Sequence, residues 1–148
     1  MTGSGTAASA NVANGIAMSS NGTLALADGT GSASNYSLNS TVINIAQRVL
    51  NSSGSKTYDA NTDALAGAIT LSNLVSGEAL NHSGTATISS ANAGSYTITN
   101  LSGISIADGS GGTASNYTLT GGAHNFTVDR RVAVSYTHLR AHETFHDL

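Results

Sequence analysis

The stretch Ala27-Asp28-Gly29-Thr30-Gly31-Ser32-Ala33-Ser34-Asn35-Tyr36-Ser37-Leu38 returns as Ala107-Asp108-Gly109-Ser110-Gly111-Gly112-Thr113-Ala114-Ser115-Asn116-Tyr117-Thr118-Leu119. Two flanking stretches repeat in the same order, since residues 4–7 match residues 83–86 and residues 43–49 match residues 126–132. Tyr36 and Tyr117 are 81 residues apart. A tandem repeat of this length indicates an array of small domains rather than one large domain.

The repeat divides the chain into three parts. Residues 1–49 match only the later half of a unit, so they are a partial copy. Residues 50–132 hold one complete unit, and within them the stretch 51–55 (Asn-Ser-Ser-Gly-Ser) has the composition of a linker. Because the first copy lacks its opening strands, we expect the chain to be a fragment of a longer protein. Residues 133–148 lie outside the repeat.

Apolar and polar residues alternate along much of the complete copy. Examples are Tyr96-Thr97-Ile98-Thr99, Ile104-Ser105-Ile106 and Phe126-Thr127-Val128. Such a period of two is typical of strands with one face on a core, and Gly-rich turns separate the runs. The pattern predicts an all-β protein, a small Ig-like β-sandwich of about five to seven short strands. The alternative, a parallel β-solenoid, would need a repeat of about 20–30 residues.

Composition narrows the classes of function. Charged residues make up 9 % of the chain and the net charge is −3, so nothing favours binding to nucleic acid. No stretch approaches the roughly 20 apolar residues of a membrane span, and we expect no insertion into a membrane. There are no cysteines, which excludes disulfides, thiol catalysis and thiolate-bound zinc.

Several short motifs, in this order, resemble the YDG repeat domain of filamentous-haemagglutinin-like, two-partner-secretion exoproteins of Gram-negative bacteria. The chain carries Lys56-Thr57-Tyr58-Asp59, then Gly77-Glu78, then Asn92-Ala93-Gly94-Ser95-Tyr96, then Ser115-Asn116-Tyr117-Thr118-Leu119. Ala60 stands where the glycine that names the family is usual. The resemblance assigns a structural signature to eight residues: Lys56, Tyr58, Asp59, Gly77, Gly94, Asn116, Tyr117 and Leu119.

The resemblance implies a secreted or cell-surface adhesin in which the repeat serves as stalk or spacer, at the bacterial outer-membrane surface. The partners it implies are neighbouring repeats of the same chain and, as a further candidate, a host-surface glycan or receptor. We expect no enzyme activity, since no nucleophile, base and acid can be grouped from the sequence, and no cofactor or metal. The alternative is an independent carbohydrate- or receptor-binding β-sandwich module.

Individual polar and aromatic residues have structural interpretations as well as functional ones. Tyr36 and Tyr117 are predicted to face the core with their hydroxyl groups at its rim. Tyr58 is expected to pack, and Asp59 to bond the backbone of its own turn. The Asp-Gly loops that begin at Asp28 and Asp108 could offer oxygens to calcium, but a single carboxylate each favours a turn. His82 and His124 are expected to be exposed or to cap backbone groups.

The stretch from His142 to His146 matches the H-E-x-x-H motif of zinc metalloproteases. A second alternative function would therefore be a metal hydrolase. However, residues 134–144 also match the translation of a transposase-end adapter used in sequencing libraries. We interpret residues 133–148 as a non-native, adapter-derived tail and exclude them from the fold. Adapter-trimmed reads that still continue through His146 would overturn this interpretation.

Overall fold

A computed structural model of the chain describes residues 1–39 and 41–134. The partial first copy forms a three-stranded antiparallel sheet in the order β1-β2-β3. Its strands are β1 (Thr6–Ala7), β2 (Ala13–Ser20) and β3 (Val42–Ile45), with a short 3-10 helix at Ala33–Asn35. The alternating apolar side chains of this sheet do not close a core. Ile16 is the single buried hydrophobic residue among the described residues of this copy.

The complete second copy carries the main fold. It is preceded by β4 (Arg48–Val49), which ends the first copy. Its own strands are β5 (Asn51–Thr57), β6 (Asp63–Leu65), β7 (Ile69–Ser72), β8 (Leu80–Ile88), β9 (Gly94–Asn100), β10 (Ile104–Asp108), β11 (Tyr117–Thr118) and β12 (His124–Asp129), with 3-10 helices at Ala66–Ala68 and Ala114–Asn116. The strand order is β10-β8-β9-β12-β5-β7, with β6 also paired to β8, and the ladder curls into a barrel-like arrangement. The prediction of an all-β fold is confirmed.

Pairing directions exclude the solenoid alternative. The pairs β12·β5 and β11·β4 are parallel, and the remaining strand pairs are antiparallel. A parallel β-solenoid would instead stack successive coils in parallel throughout. The predicted strands at residues 96–99, 104–106 and 126–128 all lie within observed strands.

The core is built from alternate residues of neighbouring strands, as the period of two predicts. Phe126 and Val128 of β12 are 1 % and 2 % exposed, and Ile88, Ile98 and Ile69 pack with them. Each such side chain contributes about 1.5–3 kcal/mol on burial. The core therefore sits between β12, β9, β8 and β7, inside the second copy.

The linker predicted at residues 51–55 is wrong, because this stretch is part of β5, which lies between β12 and β7. The sequence Asn-Ser-Ser-Gly-Ser lacks apolar alternation, yet its small side chains suit a crowded position. A Cβ on Gly54 would lie 2.2 Å from the Ala68 carbonyl oxygen and 2.7 Å from the Phe126 ring. Glycine here admits the largest core side chain against the strand.

Strand β8 changes its pairing partners at Gly84. Residues 80–84 pair with β10, whereas residues 85–88 pair with β6 and β9. Gly84 has φ of +100°, and a Cβ there would lie 1.9 Å from the Gly103 carbonyl oxygen. Both the dihedral angle and the close approach require glycine.

Candidate functional site

The signature residues Lys56 and Asp59 form a closed cluster at the end of β5. The Lys56 ammonium lies 2.9 Å from Asp59 Oδ1, and it donates to the Asn61 carbonyl at 2.9 Å, to Asn61 Oδ1 at 2.7 Å and to the Asp63 carbonyl at 2.7 Å. Four oxygen acceptors thus surround three N–H groups. Since all of its donors are used within the loop, Lys56 acts as a structural clamp rather than as a free amine.

Asp59 completes the turn as predicted. Its Oδ1 accepts the Asn61 backbone N–H at 3.2 Å, which confirms the expected bond to its own turn. The hydrogen bond from Lys56 lowers the pKa of Asp59 below its ordinary value. Between them, Ala60 has φ of 65°, in the left-handed region that favours glycine. Glycine, which the resemblance implies at this position, would adopt this dihedral angle without strain.

A pocket of about 200 Å³ adjoins the Lys56 cluster. Leu65 and Ala68 line its apolar side, and Leu65 is 61 % exposed. Tyr58, the remaining signature residue of this region, is exposed (38 %), contrary to the prediction that it packs. The pocket offers oxygen acceptors and an aliphatic wall to a ligand, but no free cation.

Tyr117 joins a second signature cluster. It is 3 % exposed, its hydroxyl donates to Glu78 Oε2, and the same oxygen accepts the Val75 backbone N–H at 3.2 Å. Gly77, with φ of +87°, lies in the turn that delivers Glu78. The bond to Glu78 raises the pKa of Tyr117. The prediction of a core-facing ring with its hydroxyl at the rim is confirmed for Tyr117.

The same prediction is wrong for Tyr36, which is 68 % exposed. The local geometry is nevertheless the same, since each tyrosine follows a 3-10 helix of sequence Ala-Ser-Asn. What differs is the surroundings: the Tyr117 hydroxyl bonds Val75 and Glu78, and the Tyr117 backbone pairs with Arg48 of β4. The first copy has no sequence counterpart of Val75 or Glu78. Burial of this tyrosine therefore depends on residues outside the motif.

The signature residues Asn116 and Leu119 form hydrogen bonds to other residues of the chain. Asn116 Oδ1 accepts the Val12 backbone N–H at 2.9 Å, and Asn116 Nδ2 donates to Asn11 Oδ1 at 3.0 Å. This signature residue therefore connects the second copy to the first. The Leu119 carbonyl accepts His124 Nε2 at 2.7 Å. Gly94 begins β9, where a Cβ would lie 2.9 Å from the Tyr96 hydroxyl.

The two Asp-Gly loops are turns. Asp28 Oδ1 accepts the Ala33 N–H at 2.6 Å, and Asp108 Oδ1 accepts the Ala114 N–H at 2.7 Å, so each carboxylate caps the following 3-10 helix. The turn interpretation is confirmed in both copies. Within residues 1–39 and 41–134, no group of three or more His, Cys, Asp or Glu side chains is placed to hold a metal.

Both histidine side chains form hydrogen bonds to backbone carbonyl groups, which agrees with the capping role expected for them. His82 Nε2 lies 3.1 Å from the Ala66 carbonyl and 2.9 Å from the Ile69 carbonyl. Because a carbonyl only accepts, we assign the proton of each ring to Nε2. In His124 this leaves Nδ1 to accept the Ser52 hydroxyl at 2.9 Å.

The Ser52–His124 pair was not predicted from the sequence. Its members are 72 residues apart, and no local motif connects them. A serine bonded to a histidine suggests an activated nucleophile. Here, however, Ser52 is 3 % exposed inside the β5–β12 ladder, so a substrate cannot reach its hydroxyl. The pair satisfies a buried polar group instead.

The H-E-x-x-H motif from His142 to His146 lies outside the described residues. In the part of the chain that is described, no helix has the length and apolar character needed to cross a membrane.

Residues 45–125 match the YDG domain family. The chain belongs to this family. No curated protein and no solved structure matches it. The YDG match begins before β4, and this agrees with the structure, because β4 pairs with β11 of the second copy. Of the signature residues, Lys56 and Asp59 form one cluster, and Tyr117 forms another with Glu78, next to Gly77. Gly94, Asn116 and Leu119 lie in neither cluster.

Proposed function

We propose that this YDG module is a spacer in the stalk of a secreted or cell-surface adhesin of the filamentous-haemagglutinin type. The observation that carries the proposal is that the chain enters and leaves the module at opposite ends of one strand pair. Strand β5 begins beside the start of β12, where Ser52 pairs with His124. It ends beside the end of β12, where Thr57 pairs with Asp129.

This arrangement displaces each successive copy along the strand direction. The six residues of β12 span about 20 Å at the usual rise of a strand. A module whose entry and exit points lie on the same side would fold an array back on itself. A module with these opposite points extends the array, which is what a stalk requires.

The polar side chains of the module also support the spacer role, because they form hydrogen bonds within the module. Lys56, His82 and His124 all donate to backbone carbonyls of their own module. Among the described residues, no buried side-chain nitrogen or oxygen lacks a hydrogen-bond partner. Any adhesion would then come from exposed loops or from many copies acting together.

Small-angle X-ray scattering on chains of increasing length tests the spacer function. We would join one, two or three additional copies of residues 50–132 after Val132 and measure the maximum dimension of each chain. A spacer predicts that this dimension grows linearly with the number of copies. Growth that levels off, as expected when copies collapse into one globule, would contradict the proposal.

The pocket beside Lys56 supports the second candidate, a carbohydrate- or receptor-binding module. Its aliphatic wall at Leu65 and its polar side at Asp59, Asn61 and Asp63 could receive a sugar. Glycan-array binding by the full chain that is lost in Leu65→Ala, but kept in the matched surface variant Val75→Ala, would favour this function. Val75 is also exposed, at 46 %, and does not line the pocket.

A further inference from the structure

We propose that Arg131 and Val132, together with the turn at Asn92 and Ala93, form a docking surface for a following copy of the same module. The partner elements in that copy are its β11 and its Asn116. The inference rests on the proposed array function and goes further, because it names the residues through which adjacent modules are held in register.

A joint of this kind is already present between the two copies. Arg48 and Val49 belong by sequence to the end of the first copy, yet as β4 they pair in parallel with Tyr117 and Thr118. The backbone continues this pairing, since the Leu50 N–H donates to the Thr118 carbonyl at 2.8 Å. Leu50 itself is completely buried.

Side chains reinforce that joint. Arg48 donates to the Asn73 carbonyl through Nε at 2.5 Å and to Asn73 Oδ1 through Nη2 at 3.0 Å. Asn73 Nδ2 returns a bond to the Val49 carbonyl at 2.7 Å. Gln47 Nε2 donates to the carbonyls of Ser115 and Tyr117, each at 3.1 Å. The end of one repeat is thus tied to the body of the next.

A second contact lies on a turn of the first copy. The Asn11 N–H is held by Ser9 Oγ at 3.0 Å, and the shaped turn presents Asn11 Oδ1 and the Val12 N–H to Asn116. Asn116 of the following copy bonds both groups at once, with its side-chain Nδ2 as donor and its side-chain Oδ1 as acceptor.

The second copy carries the same two elements in exposed form. Arg131 and Val132 are the sequence counterparts of Arg48 and Val49, lie outside any strand among the described residues, and Val132 is 86 % exposed. Arg130 replaces Gln47 and can likewise donate to two carbonyls. The turn is also repeated, since Ser90 Oγ holds the Asn92 N–H at 3.2 Å. Asn92 and Ala93 are both exposed.

The supporting sheet has the same strand order in both copies, and its pair nearest the two elements, Ala13 with Ile45, corresponds to Gly94 with Val128. The order β1-β2-β3 in the first copy corresponds to β8-β9-β12 in the second, with β1·β2, β2·β3, β8·β9 and β9·β12 all antiparallel. The turn leads into β2 or β9, and the docking strand follows β3 or β12. We therefore expect the joint between the first and second copies to form again between the second copy and a following one.

Disulfide crosslinking tests this geometry, because the chain has no cysteine of its own. We would extend residues 1–132 with a second copy of residues 50–132 and introduce Val132→Cys together with Thr118→Cys in the added copy. The benchmark is Val49→Cys with Thr118→Cys in the original copy, which are direct partners in the structure. The mismatched control is Val132→Cys with Thr118→Cys in the original copy, whose Thr118 lies at the opposite end of β12.

We expect the Val132 pair to oxidise at a rate comparable with the benchmark, and roughly tenfold or more faster than the mismatched pair, because paired strands hold the sulfurs within bonding distance. Adding Asn116→Ala in the added copy should slow it. If the added copy folds, as judged by amide chemical-shift dispersion, but oxidation is no faster than in the mismatched pair, the docking surface is wrong while the array function stands. If the added copy does not fold, both proposals fail.

Discussion

The two copies of the repeat place the same motif in different surroundings. Ala33-Ser34-Asn35-Tyr36 and Ala114-Ser115-Asn116-Tyr117 have the same 3-10 helix and the same aspartate cap. Nevertheless, Tyr36 is 68 % exposed and Tyr117 is 3 % exposed. The difference shows that the motif specifies a local turn, whereas residues outside the motif, among them Val75, Glu78 and Arg48, determine whether its tyrosine is buried.

The largest expected contrast between the copies is in the core. Phe126→Ala removes the largest fully buried side chain of the second copy, and we expect it to lower the free energy of unfolding by about 3–5 kcal/mol. Its sequence counterpart in the first copy is Ile43, which is 38 % exposed. Ile43→Ala should cost about 1 kcal/mol or less. Urea unfolding followed by circular dichroism measures both, and similar losses would contradict the comparison.

Gly84 of β8 should give the next largest effect. Gly84→Ala forces a side chain into the left-handed region and against the Gly103 carbonyl, at a cost of about 2–3 kcal/mol. At the matched position Gly5, φ is not positive, and an added Cβ would meet Met18 Cε, the movable end of a flexible side chain, and the Ser20 carbonyl oxygen at 2.9 Å. Gly5→Ala should therefore cost less than Gly84→Ala. Thermal melts in which Gly84→Ala and Gly5→Ala lower Tm equally would contradict this difference between the two positions.

Ala60 allows a change in the opposite direction. Since Ala60 adopts φ of 65°, Ala60→Gly should relieve strain and raise the free energy of unfolding by about 1 kcal/mol. The control is Ala107→Gly in β10, where φ is not positive and glycine should lower stability by about 0.5–1 kcal/mol. Chemical denaturation of both variants checks the signs, and a loss of stability at position 60 would refute this account of the turn.

The tyrosines should differ in how much their hydroxyl groups contribute. Tyr117→Phe leaves the Val75 N–H and the Glu78 carboxylate without their shared partner, so we expect Tm to fall by a few degrees. Tyr36→Phe should leave Tm unchanged, because the ring and its hydroxyl are largely in water. A differential scanning calorimetry experiment that gives the same Tm for both variants would show that burial does not distinguish the copies.

The smallest effect concerns acid stability and the Lys56 cluster, which exists only in the second copy. Lys56 lowers the pKa of Asp59 in the folded state, so the unfolded state binds more protons between the two pKa values. Stability from this group is present above the ordinary pKa of about 3.9 and is lost as pH falls through the lowered value. Asp59→Asn should flatten that part of the pH profile in urea titrations. A profile identical to that of the unchanged chain would contradict the assignment.

Strands with apolar alternation could be predicted from the sequence, because period two leaves a direct trace in side-chain type. Phe126 and Val128 were identified in this way. Strand β5 could not, since its serines and glycine indicate a linker by composition. Its place in the sheet depends on the close approach of the Phe126 ring and the Ala68 carbonyl to Gly54. Close packing from distant parts of the chain leaves no local pattern.

The contacts of the signature residues likewise divide into local ones, which the sequence predicts, and long-range ones, which it does not. Asp59 bonds Asn61, two residues away, and this turn follows from residue type. The Ser52–His124 pair, the Tyr117–Glu78 bond and the contact between Asn116 and Asn11 join residues far apart in sequence. A repeat alignment marks some of these residues as recurrent but cannot indicate which group each one contacts.

The repeat, the all-β class, the YDG resemblance and the local turns can all be read from the amino-acid sequence, because they depend on side-chain periodicity and on bonds between near neighbours. Which copy closes a core, which tyrosine is buried and where one repeat joins the next become visible in the folded chain alone. Burial and strand pairing are properties of surfaces brought together by folding, so an identical motif has a different environment when its neighbours differ.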